Sequence, residues 1–155
     1  MIRYCLVLLF LFAGSVMSQV PTIKDVRLMA HKATKSEEGC IKLINLLSSY
    51  HENNNPLLLG YRGASTMVMA KYVFNPFSKY SYFKKGKNIL ESAIKADNSN
   101  IELRFLRYTI QTNVPGFLNY SSNKKSDKLF LIKTVSDVDD QELKKIINDY
   151  LIKHP

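Results

Sequence analysis

Apolar residues along this chain recur at intervals of three and four, with no sustained alternation, so the pattern predicts helices and no strands. Ile23, Val26, Met29 or Ala30, and Ala33 share the face of a first helix opened by Pro21 or Thr22. Lys32 and Lys35 stand at its end, where cations suit the helix dipole. Ser36 caps a second helix with Glu37 and Glu38 in its first turn and a stripe of Cys40, Leu43, Ile44, Leu47 and Tyr50. Asn55-Pro56 and Asn75-Pro76 each put Asn at a cap and Pro at the first helical position. They start helices running from Pro56 to about Tyr72 and from Pro76 to about Ala96. The polar turn Asp97–Asn100 precedes a helix from Ile101 to about Thr112, which Val114-Pro115-Gly116 stops. A helix over Lys124–Val135 follows. The last, capped by Asp139 or Asp140, turns Leu143, Ile146, Ile147, Tyr150 and Leu151 inward. The expected fold class is all-α, about seven helices in antiparallel hairpins joined by short turns.

The first residues follow a different pattern. A short basic start, Met1-Ile2-Arg3, leads into the uncharged run Tyr4–Ser18, with Val16 and Ser18 at the −3 and −1 positions before Gln19. That run is shorter than the roughly 20 residues a spanning helix needs, and nothing polar divides it into two faces. It reads as a signal peptide over 1–18, cleaved between Ser18 and Gln19, leaving one α-helical domain over 19–155. The expected localisation is periplasmic or secreted, with no transmembrane segment in the mature chain. Cys40 is then a lone thiol in an oxidising compartment, and its place on an apolar stripe predicts burial.

Composition narrows the classes further. The 155 residues are 46% hydrophobic and 23% charged, which suits one folded domain and argues against disorder. Net charge is +9. Two lysine clusters, Lys84/Lys85/Lys87 and Lys124/Lys125/Lys128, offer attraction to acidic proteins or to an anionic lipid surface. Nucleic acid is a poor partner for an exported chain without a binding motif. Six aromatics crowd Tyr72–Phe83, as a plug sealing a hairpin or as a docking surface.

Candidate chemistry is sparse. His31, His51 and His154 have no second ligand at metal spacing, and Asp137, Asp139 and Asp140 lack the spacing of a calcium loop. No phosphate loop, dinucleotide fingerprint or nucleophile elbow occurs. The expectation is a protein that is not an enzyme and has no metal, no catalytic residue and no cofactor.

Ala93-Ile94-Lys95-Ala96-Asp97-Asn98-Ser99-Asn100 resembles the close of a tetratricopeptide repeat. Gly86 and Leu90 occupy earlier small-or-apolar positions of that helix, and Leu59-Gly60 resembles the Leu-Gly pair of the repeat's first helix. Asn98 stands where the repeat has Pro and Gly63 where it has an aromatic. The Gly60–Gly86 spacing is about fourteen residues too long, with Tyr72–Tyr82 as the apparent insertion. The likeness is to a degenerate tetratricopeptide-like protein of the small exported bacterial type. It implies a right-handed stack of hairpins, a C-terminal capping helix, and a concave side lined by the first helix of each hairpin. Helices 56–72 and 101–112 then present Arg62, Lys71, Arg104, Arg107 and Tyr108 to an acidic protein or peptide. Arg104 and Arg107 have a competing use, pairing internally with carboxylates such as Glu91 and Glu102. The alternative function is a binder of a small or lipid-like anionic ligand between helices.

Overall fold

A computed structural model describes residues 20–154, which form seven α-helices: α1 Ile23–Ala33, α2 Glu37–Leu46, α3 Pro56–Val68, α4 Pro76–Ala96, α5 Ile101–Asn113, α6 Lys124–Thr134 and α7 Gln141–Lys153. The segment read as a signal peptide lies outside the described residues. Local chemistry sets the starts. The side chains of Thr22, Ser36, Asn55, Asn75, Asn100 and Asp140 each accept a hydrogen bond from a first-turn backbone N–H, offsetting the orphan donors of the helix end. Pro56 and Pro76 follow their Asn caps as expected.

Some ends differ from the sequence expectation. α3 stops at Val68 and tightens into a 3₁₀ turn over Met69–Lys71. α6 ends at Thr134, with another such turn over Val135–Asp137. Tyr50 lies beyond the end of α2, yet its side chain still packs on the core that α2 shares.

The helices pack sequentially. α1/α2, α3/α4 and α5/α6 are hairpins, and α3 also packs against both α1 and α5. Three overlapping cores result. Val26, Cys40, Leu43, Leu47, Leu58 and Tyr61 join α1, α2 and α3. Leu59, Met67, Phe83, Leu90, Ala93 and Leu103 join α3, α4 and α5. Phe105, Tyr108, Leu131, Leu143 and Ile147 join α5, α6 and α7. Each fully buried Leu or Ile contributes about 1.5–3 kcal/mol relative to exposure. Cys40 is buried as its stripe predicts, and its thiol donates to the Ser65 carbonyl oxygen at 3.0 Å. Burial, reinforced by Glu37, pushes the thiol pKa up to about 11, so it stays protonated.

The α3/α4 crossing depends on glycine. A Cβ on Gly86 would stand 2.5 Å from the Gly63 carbonyl oxygen and 2.6 Å from the Met67 nitrogen. One on Gly63 would stand 2.7 Å from the Leu90 nitrogen. The two backbones therefore touch where side chains are absent. Gly60 is different, because it faces side chains of Leu103, Leu90 and Ala93 rather than another backbone.

Candidate functional site

Two ionic networks occupy the interior between the hairpins. In one, Arg27 of α1 binds Glu102 of α5 through Nε (2.6 Å) and Nη2 (2.8 Å), and reaches Asp140 at the start of α7 through Nη1 (2.8 Å). Tyr61 of α3 donates its hydroxyl to the same Glu102. Hydrogen bonding to Glu102 and Asp140 outweighs burial and holds the Arg27 guanidinium charged, while burial and Glu102 push the Tyr61 hydroxyl pKa up.

In the second network Asp127 of α6, fully buried, accepts from both α5 arginines. Arg107 approaches through Nε (2.6 Å) and Nη2 (2.8 Å), and Arg104 through Nε (2.5 Å). Arg107 also donates from Nη1 to Glu91 of α4 at 2.8 Å. The Tyr120 hydroxyl donates to the other oxygen of Glu91, and Lys87 lies over the Tyr120 ring at 4.9 Å. Burial opposes the Arg107 charge, but Asp127 and Glu91 outweigh it and raise its pKa. These contacts have a positional consequence. Tyr120 anchors the segment after α5, which carries Pro115, Phe117 and Leu118.

That segment, the end of α3 and the first turns of α4 enclose a cleft of about 460 Å³. Its buried wall is apolar, with Met67 and Phe83 among its residues, and Ile110, Val114 and Leu118 add half-buried surface. Exposed Tyr80, Phe117 and Lys71 and half-buried Lys79 also line it. Lys79 Nζ donates to the Ala70 carbonyl oxygen at 3.1 Å and Lys71 Nζ to the Thr34 carbonyl oxygen at 3.0 Å. Each ammonium has three N–H groups, so donors remain, and among the described residues neither lysine is paired with a carboxylate. The sequence on both sides contains no acid. Residues 53–90 lack Asp and Glu but contain Arg62, Lys71, Lys79, Lys84, Lys85 and Lys87, and 103–126 also lack them. Every lining residue comes from one of these two stretches.

The residues read from sequence as partner-binding lie in different places. Lys71 lines the cleft. Arg104 and Arg107 meet on Asp127. Arg62 donates from Nη1 to the Ser48 carbonyl oxygen at 2.7 Å. Tyr108 donates to the His154 carbonyl oxygen at 3.2 Å and borders a basic hollow with Lys124, Lys125 and Lys128. Of the two carboxylates considered as internal partners, Glu91 pairs with Arg107, whereas Glu102 turns away from the α5 arginines toward Arg27 and Tyr61. The crowded aromatics divide: Phe83 is buried, Tyr72 and Tyr82 are half-buried, and Phe74, Phe77 and Tyr80 are exposed. The pattern of helical stripes missed the cleft because its walls join residues 67–83 to residues 110–118, which are far apart in sequence. The two acid-free stretches were the signal that marked it.

Comparison with family models, with curated protein sequences and with solved structures gives no significant match. Among the described residues no group of three or more His, Cys, Asp or Glu is placed to hold a metal ion.

Proposed function

We propose that this protein is an exported binding module rather than an enzyme, and that its cleft holds a single-chain anionic amphiphile such as a fatty carboxylate. The observation that carries the reading is the pairing of an apolar cleft with unpaired lysines and no nearby acid in sequence. A volume of about 460 Å³ falls in the range of small-ligand sites. The apolar wall takes the chain by the hydrophobic effect, and Lys71 or Lys79 takes the carboxylate by a charge-assisted hydrogen bond. Export rests on the composition of residues 1–18.

A second reading keeps the tetratricopeptide-like stack, with an acidic protein or peptide on its concave side. Its support is the packing of α3 against both α1 and α5, the first helices of the three hairpins. Arg104 and Arg107 then serve to hold the hairpins together, Tyr108 is buried in the core of α5, α6 and α7, and Arg62 and Lys71 are left to face the partner.

Titration with cis-parinaric acid, a fluorescent fatty carboxylate, tests the cleft. Saturable enhancement is expected, lost in Ala70→Phe, which fills the cleft, and weakened about tenfold in Lys71→Gln/Lys79→Gln, as for losing charge-assisted contacts. Uptake that ignores the filled cleft would transfer support to the peptide reading.

A further inference from the structure

Phe74, Phe77 and Phe117 are 97%, 85% and 85% exposed, and Tyr80 is 58% exposed. Single exposed apolar side chains are ordinary, but these belong to one rim. Tyr80 and Phe117 both line the cleft, so the start of α4 and the turn after α5 are neighbours there. Phe77 lies one turn before Tyr80 on α4, with Lys84 one turn beyond on the same face, and Phe74 immediately precedes the Asn75 cap. Lys84 and Lys85 are exposed.

We propose that this rim docks on an anionic bilayer, with Phe74, Phe77 and Phe117 entering the headgroup boundary and the lysines facing lipid phosphates. Three arguments select a bilayer. The aromatic side chains stand almost fully out in solvent on two separate tips, whereas anchors of a protein interface insert into matched pockets. The segments that carry them contain cations and no acid, which matches an anionic surface and repels a second copy of the same face. The pattern of aromatic tips beside lysines is that of interfacial anchoring, where apolar area and charge act together. Among the described residues no helix is long and apolar enough to cross a membrane, so the contact proposed is with its surface. The inference goes beyond the ligand reading and stands without it.

The chain has no Trp, so Phe77→Trp supplies a single reporter. Phosphatidylcholine vesicles containing phosphatidylglycerol should shift its emission to the blue, and lipids brominated near the headgroup should quench it. Pure phosphatidylcholine or high salt should largely abolish both effects. In that background Phe74→Ser/Phe117→Ser should reduce partitioning by about a hundredfold or more, as expected for removing two buried aromatic anchors. Retained far-ultraviolet circular dichroism will show that the variant is folded. The filled-cleft variant Ala70→Phe should still partition. If anionic vesicles leave the emission unchanged, or if removing Phe74 and Phe117 costs nothing, the bilayer proposal fails, whatever the result with cis-parinaric acid. Partitioning without uptake of that acid sinks the cleft reading and leaves this one standing.

Discussion

Gly63 and Gly86 set how closely the two central helices approach, because any Cβ there meets backbone atoms that cannot rotate away. Gly86→Ala or Gly63→Ala should therefore destabilise by about 1–3 kcal/mol in urea unfolding, although alanine favours helix by about 1 kcal/mol. Gly116→Ala, with nothing within 4 Å of its Cβ position, is the control and should be close to neutral. An unchanged midpoint for both helical variants would mean that the crossing is looser than the geometry shows. The sequence marks glycines inside helical patterns as costly and so as close contacts, but it cannot say which glycine meets which. Gly60, Gly63 and Gly86 all lie inside helical patterns, and each is tightly surrounded in the fold. Gly63 is the actual counterpart of Gly86. Cap residues were legible because their bonds are local, reaching two or three positions along the chain. Asp127 was not, because its partners are fixed only when α6 docks on α5.

At the level of elements, α7 is joined to the rest partly by a charge at its own first turn. Asp140 caps the helix through the backbone N–H groups of Glu142 and Leu143 and also accepts from Arg27. The Arg27 hydrogen bond, aided by those backbone donors, depresses the Asp140 pKa below its ordinary value. A depressed carboxylate stabilises the native state above its unfolded pKa of about 3.9, and the contribution disappears as pH falls through the folded value. Thermal melts between neutral and strongly acidic pH should show this loss. Asp140→Asn retains a good cap but removes the charge, so it should be less stable at neutral pH and less sensitive to acid. Equal acid sensitivity in the variant would assign the loss to other carboxylates. Helix number and order were readable from stripes and caps, since both are encoded within a few turns. The lengths of α3 and α6 were less so, because each converts to a 3₁₀ turn without a break in apolar pattern.

Across the whole molecule, hairpins packed in sequence make mostly neighbouring contacts, an arrangement that allows the ends to open separately. Arg27 opposes that tendency. It reaches Glu102 75 positions along the chain and Asp140 113 positions along it, joining the first helix to the last hairpin and to α7. Arg27→Met should cost about 3–5 kcal/mol, since Glu102 is left buried beside Tyr61 without its cation. The urea transition followed by circular dichroism should also broaden, as the terminal helices unfold apart from the centre. A loss below about 1 kcal/mol with a sharp transition would show that the apolar cores alone enforce cooperativity. The candidate site belongs to this scale as well. Its lysines and aromatics were visible one by one, but the cleft exists only where the end of α3, the start of α4 and the turn after α5 meet.

The glycine crossing also gives α4 a mechanical property. Gly86 is ten residues from Pro76, so about 15 Å of helix extends beyond the contact, and a tilt of about 5° there moves the start of α4 by about 1 Å. Side-chain knobs normally lock two helices against such rocking, and at this point both knobs are missing. Such a tilt would pivot on the crossing, which stands midway along α4, with the mouth of the cleft at the end of one of two equal arms.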